Sequence, residues 1–365
     1  MKIVATHIYK LKIPMVPFTI ATGTMQYAQN VFIKIETDEG IMGYGECSAF
    51  PMIVGETQNS CFSLAKNFAS YWKGKDPLAM QQRLGELDLM IAGNYTAKSA
   101  FDMALYDIAA KVVNQPLYAY LGGQQKTIES DLTIGIDTPQ KMAEQAIDFV
   151  AKGVNIIKVK LGKHPIEDVE RIKAIRTAIG DVIILRIDAN QGWSKADALG
   201  VLTKLAKYDI EFCEQPMHKY YDDFLPALCA ASSIKIMADE SVFTHHDARK
   251  LIQQKACHYI NIKFSKSGGI HEAIKIHDIA KQNGIACMMG GMLESRLALS
   301  AKLHFALAHD NVQFYDMDTC LLGHTEDPVI GGVQFNGMHI SIGDAPGIGA
   351  TVDPNYLSKL ANCVV

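Results

Sequence analysis

The chain has eight cysteines among its 365 residues but no CxxC pair, so neither a structural zinc site nor a redox motif is present. The thiols (Cys47, Cys61, Cys213, Cys229, Cys257, Cys287, Cys320 and Cys363) mostly have apolar neighbours and read as buried and reduced. No apolar run reaches the roughly 18 residues of a membrane span. Basic residues number 35 and acidic residues 39, and the resulting net charge of −4 gives no electrostatic support to nucleic-acid binding. The opening MKIVATHIYKLKIP has no unbroken apolar core and no small-residue cleavage site, so no secretory signal is read there. A cytoplasmic protein with neither nucleic-acid nor membrane partners is the expectation. Low-complexity tracts are absent too, and a composition of 48% hydrophobic and 20% charged residues excludes disorder.

What is present falls into two rhythms. Up to about residue 125 strands precede helices: 1–13 and 30–36 alternate, Thr37-Asp38-Glu39-Gly40 supplies a turn, and 96–113 carries one apolar stripe of helical period. From 126 to 330 short apolar strands alternate with helices, the pattern of βαβ units. Strands are expected near 131–136, 156–161, 182–189, 210–215, 235–240, 259–264, 285–289 and 313–318. Helices are expected near 139–152, 166–178, 195–207, 247–254, 270–282 and 295–308. Eight such strands can close into a TIM-like barrel. An open doubly wound sheet is the alternative, although no Gly-rich dinucleotide loop follows any strand. Residues 331–365 alternate again and end in a Pro/Gly-rich stretch, which predicts a tail that returns to the first domain.

In such a barrel the active site lies at the C-terminal ends of the strands. Those ends carry Lys158 and Lys160, Asp188, Glu214, Asp239, Lys263, and then Asp316 and Asp318. Lys160 precedes Asp188 by 28 residues, Glu214 follows by 26, Asp239 by 25 more and Lys263 by a further 24. Each step is one βα unit, so the five groups are predicted at equivalent heights on consecutive strands. Three facing carboxylates repel unless a cation lies between them, and their oxygens suit Mg²⁺. Lysines flank that metal on both sides, with Lys158 beside Lys160 on one strand face. A desolvated lysine next to a metal and a second ammonium is expected to have a lowered pKa and to serve as a base. Two bases across a metal-bound carboxylate suggest removing a proton from one face of a carbon and returning one to the other.

The strings Lys158-Val-Lys160, Asp188-Ala-Asn-Gln-Gly-Trp193, Glu214-Gln-Pro216, Ala238-Asp-Glu-Ser241, Asn261-Ile-Lys263 and Lys266-Ser-Gly-Gly269, with Gly43-Tyr-Gly-Glu46 near the start, resemble the enolase superfamily and its muconate-lactonizing subgroup. The resemblance implies an α/β fold, a modified (β/α)₇β barrel of residues 126–330 under an α+β capping domain of residues 1–125 and 331–365. It implies Mg²⁺ held by Asp188, Glu214 and Asp239, acid/base catalysis by Lys160 and Lys263, and assistance from Lys158. The shared chemistry is proton abstraction α to a carboxylate, giving an enediolate stabilised by the metal. Homo-oligomers are common in the family, and one is implied here.

Within the subgroup, Asp316-Met-Asp318 resembles the motif by which dipeptide epimerases hold a substrate ammonium group, so a small-molecule dipeptide is the expected substrate. A cycloisomerase or a succinylbenzoate synthase-like lyase is the alternative. Side-chain choice is expected from two cap loops. The first, near 14–30, has no charged residue, and around Gly23 it lacks the arginine that some Ala-Glu epimerases use. Thr22, Thr24, Gln26 or Tyr27 would be left to bind a glutamate, and a moderately broad L-Ala-Xaa preference is expected. The second loop, near 48–56, is apolar with one acid, Glu56. Met292 is expected in the pocket, Glu240 and Glu294 near its mouth, and His245-His246 in a capping or surface pair.

Overall fold

The computed structural model describes residues 1–365. Eight parallel strands lie side by side in chain order: Leu132–Ile134, Ile156–Lys160, Ile184–Asp188, Ile210–Glu214, Lys235–Ala238, Tyr259–Ile262, Ala286–Gly290 and Val312–Asp316. The first and last approach each other, with the Asp131 N–H donating to Tyr315 O at 3.1 Å and the Met317 N–H donating to Ser130 Oγ at 2.8 Å. The result is a nearly closed barrel, and the open-sheet alternative is not adopted.

Between successive strands run the helices Pro139–Ala151, Pro165–Ile179, Lys195–Leu205, Leu225–Ala231, His245–Gln253, Ile270–Gln282 and Arg296–Ala308. Several begin on a side-chain cap, including Thr138, Ser194, Thr244 and Ser295, each satisfying an otherwise free N–H. The period of two divides each strand between two environments. Ile157, Val159, Leu185, Ile187, Ile236, Ile260 and Met289 join the main apolar core outside the barrel. Lys158, Lys160, Arg186 and Asp188, which alternate with the first four of these, are also buried, on the opposite strand face, as is Glu214. The barrel floor is apolar, with Phe212, Met237 and Met288 packed together and the Arg186 guanidinium 5.3 Å from the rings of both Phe212 and Phe314.

The cap is an antiparallel sheet of Asn362–Val364, Ile3–Ile20, Gly23–Thr37 and Met42–Ser48, in that order, packed on the helices Gln58–Trp72, Met80–Met90 and Tyr95–Val112. Gly43 and Gly45 let the third of these strands lie directly on the long helix. A Cβ on Gly45 would lie 1.8 Å from Ala100 O, and one on Gly43 2.3 Å from Ala104 O. Cap and barrel are joined by buried carboxylates at helix starts. Glu46 accepts from the N–H groups of Ser295 and Ala298, and Asp102 from those of Ile270 and His271.

The expected first loop is instead the tip of a β-hairpin, because strands Ile3–Ile20 and Gly23–Thr37 pair almost to the Ala21-Thr22 turn. The Ile136 N–H binds Thr19 O at 2.8 Å, fastening this tip to the end of the first barrel strand. The second loop contains a short helix, Pro51–Val54. All eight cysteines are free, and no helix is long and apolar enough to cross a membrane.

Candidate active site

Backbone register brings the charged strand ends together. Lys160 lies opposite Asp188, and Asp188 opposite Glu214. Glu214 lies opposite Met237, so Asp239 stands two residues further along its strand than equal heights would require. The side chains still converge. Nζ of Lys160 is 2.5 Å from Asp188 Oδ2, and Nζ of Lys263 is 2.8 Å from Asp239 Oδ2 and 3.8 Å from Glu214 Oε1. Lys158 is the hub, 2.6 Å from Glu214, 2.8 Å from Asp316 and 3.4 Å from Asp188.

The turns after the third and fourth strands are held in left-handed backbone, with φ of 41° at Asn190, 68° at Gln191 and 35° at Gln215. This geometry lets Gln215 brace the neighbouring strand end: its Oε1 accepts from the N–H of Asp239 at 2.9 Å and of Ser241 at 3.3 Å. Asn261 donates to Glu214 at 2.6 Å. The fully buried Lys266 donates to Asp239 O at 2.5 Å and Asn261 O at 3.1 Å, and it also pairs with the Asp239 carboxylate.

Burial opposes the charge of Lys158 and of Lys263, but nearby carboxylates override it, chiefly Asp316 for Lys158 and Asp239 for Lys263, and hold both above the ordinary lysine value. Burial also opposes ionisation of Asp188, yet Lys160 and Lys158 keep it below its usual range. Burial and the Asp188 charge push Glu214 up to about 7.

Oε2 of Glu214 and Oδ1 of Asp239 are buried, and each is in contact with an ammonium group, Lys158 and Lys266, outside good hydrogen-bond geometry. Buried carboxylate oxygens that already attract cationic groups, on an all-carboxylate donor set, fit a hard divalent cation. The acids that bring one oxygen each within 4.8 Å of one another are a different group: Asp131, Asp316 and Asp318. Its members already hold donors, Arg186 on Asp131 at 2.9 Å, Lys158 on Asp316, and the Thr133 N–H on Asp318 at 2.7 Å. Burial and the Asp316 charge raise Asp318 to about 7. Asp131 and Arg186 were not singled out from the sequence. The spacing of two that groups Lys158 with Lys160 also places Arg186 on the inward face with Asp188.

A cavity of about 40 Å³ lies between the two lysines and the cap. Its walls are Phe18, Ile20 and Met25 of the hairpin tip, Phe50 and Ile53 of the second cap segment, Lys160, Asn190, Lys263, and Gly291-Met292-Leu293 after the seventh barrel strand. Met292, expected in the pocket, lines this cavity. Thr24 does not: it is exposed and pairs with the Thr19 hydroxyl at 2.9 Å, because alternation along the hairpin turns Met25 inward instead. Thr22, Gln26 and Tyr27 are exposed as well. Glu56 does not line the cavity and accepts the N–H groups of Thr96 and Ala97 at the start of the long cap helix. Glu240 is buried and near Asn190, 3.4 Å away. His245 pairs with Glu272, while His246 is exposed.

Residues 3–122 match the model of the mandelate racemase/muconate lactonizing enzyme N-terminal domain, and residues 141–356 match that of the enolase C-terminal domain-like family. The chain belongs to the enolase superfamily. Among its superfamily relatives, the D-Ala-D/L-Ala epimerase of Cytophaga hutchinsonii is 43% identical, with 94% of each chain covered. The hydrophobic dipeptide epimerase of Enterococcus faecalis is 38% identical, covering 96% of this chain and 99% of that one. A solved dipeptide epimerase from C. hutchinsonii, complexed with Mg and D-Ala-L-Val, superposes over 100% of both chains with a TM-score of 0.98 and 42% identity.

Proposed function

We propose that this enolase-superfamily protein is a Mg²⁺-dependent dipeptide epimerase that inverts the α-carbon of the C-terminal residue of L-Ala-Xaa dipeptides, with apolar Xaa preferred. The observation that carries the reading is the placement of Lys160 and Lys263 in one cavity, on the second and sixth strand ends with a row of carboxylates between them. Asp188, Glu214 and Asp239 are assigned as the residues that would hold Mg²⁺, which supplies positive charge to the substrate carboxylate and to the negative charge developing beside it. One lysine, as the free amine, takes the α-proton. The other, as the ammonium, delivers a proton to the opposite face, so charge and protons balance over the turnover. Lys158 ties Asp188, Glu214 and Asp316 into one network and assists through their positions.

Asp316 and Asp318 are assigned to the dipeptide ammonium, since an apolar or anionic acid would gain nothing from two buried carboxylates. The apolar walls of the hairpin tip and second segment support a neutral side chain. A neutral side chain also agrees with two of the relatives, a D-Ala-D/L-Ala epimerase and a hydrophobic dipeptide epimerase.

The test is incubation of the protein with Mg²⁺ and an L-Ala-L-Xaa library in D₂O, read by mass spectrometry and chiral analysis. Expected are deuterium at the α-carbon of the C-terminal residue, formation of L-Ala-D-Xaa, and loss of both with EDTA. Absence of exchange on every dipeptide would favour a cycloisomerase or a succinylbenzoate synthase-like lyase.

A further inference from the structure

Lys302 sits in the helix Arg296–Ala308 with only 1% of its surface exposed, and nothing in the proton-transfer chemistry uses it. Its Nζ donates to Gly290 O at 2.7 Å and pairs with the equally buried Glu294. The other carboxylate oxygen of Glu294 accepts the Met292 N–H at 2.6 Å. One ion pair thus gathers a carbonyl, an N–H and a side chain from five consecutive residues. Gly290 is also fixed from below: a Cβ there would meet Asn261 Oδ1 at 2.2 Å, and Asn261 is the residue that donates to Glu214.

The cap grips the same segment from the other side. Asn30 donates to Leu293 O at 2.9 Å, and the Leu293 N–H donates to Ser48 Oγ at 3.1 Å. Gly291, Met292 and Leu293, between these two grips, form one wall of the cavity beside Lys263. A buried ion pair is a weak source of stability, since an apolar pair of like volume often does as well, whereas its directional contacts fix one geometry.

We propose that Lys302 is a positioning residue, and that the Lys302–Glu294 pair sets the wall Gly291–Leu293 and thereby which C-terminal side chains the site discriminates. The inference rests on the dipeptide epimerase reading. It is tested by measuring kcat and KM of Lys302→Met over the L-Ala-L-Xaa library, with Lys302→Gln, which keeps a donor for Gly290 O, as the rescuing variant. The expected result is a fall of at least about tenfold in the ratio of kcat/KM between the best and the poorest side chain, carried by KM and largely restored in the Gln variant. A purely structural role lowers all substrates together, so an unchanged ratio overturns the proposal. Should Lys302→Met fail to fold, Glu294→Gln is judged by the same ratio. A wild-type protein that exchanges no dipeptide proton defeats the epimerase reading instead, which separates the two failures.

Discussion

Lys160 and Lys263 hold the Oδ2 atoms of two different aspartates, Asp188 at 2.5 Å and Asp239 at 2.8 Å, from opposite ends of the same row of strand ends. Neither lysine can do the work of the other, because the reacting carbon would lie between them. Lys160→Ala and Lys263→Ala are each expected to abolish epimerisation, a loss of about 10²–10⁴-fold or more per group. Chiral chromatography of the product checks this. A single-lysine variant that epimerises at the wild-type rate would overturn the two-base assignment.

Asp318 accepts the Thr133 N–H and forms no ion pair, whereas Asp316 is bound to Lys158. Asp318→Asn therefore isolates the ammonium contact, and it should weaken dipeptide binding by about 2–5 kcal/mol with little effect on folding. Asp316→Asn should also lower the melting temperature, because it removes one of the partners of a buried ammonium. Titration calorimetry with an L-Ala dipeptide distinguishes the two. Unchanged affinity in Asp318→Asn would favour the cycloisomerase or lyase alternative.

His304 joins helix and tail as a neutral ring: Nδ1 accepts the Tyr118 N–H at 3.0 Å, and Nε2 lies 3.1 Å from Ile348 O. Burial lowers it from 6.5 to about 4, and likewise His309. Between those values the unfolded chain binds protons that the folded one refuses. The contribution of these two rings to stability is accordingly complete above about pH 6.5 and declines as the pH falls toward 4, by about 1.4 kcal/mol per pH unit for each histidine. Denaturant melts across that range should show His304→Gln to be less acid-sensitive than the wild type. An identical pH slope in both would contradict the assignment.

Gly45→Ala forces a Cβ to within 1.8 Å of a helix carbonyl and is expected to cost about 3 kcal/mol by overpacking. Gly200→Ala, in an exposed helical position with nothing within 4 Å, should instead stabilise by about 0.5–1 kcal/mol. Thermal melts of the two variants should move in opposite directions.

The barrel and its charged mouth were legible because their signals are local. Alternation along a strand puts Lys158 and Lys160 on one face, and a recurring interval of about 25 residues puts Asp188, Glu214 and Asp239 on successive strands. The Gly43-Tyr-Gly-Glu46 string was visible as a motif, but its reason was not. The glycines serve a strand-on-helix contact, and Glu46 serves a helix in the other domain.

The sequence by itself thus determined the fold class, the ring of lysines and acids, and the absence of a charged side chain from the hairpin tip. The tertiary structure decided that Met25 and not Thr24 faces the cavity, that Asp131 joins Asp316 and Asp318, that Lys158 is shared by three carboxylates, and that Lys302 stands behind the wall. These depend on strand stagger and on the docking of a cap against helices some 250 residues away in the chain, as from Glu46 to Ser295. No local periodicity encodes such contacts, because they arise only when two independently patterned surfaces are pressed together.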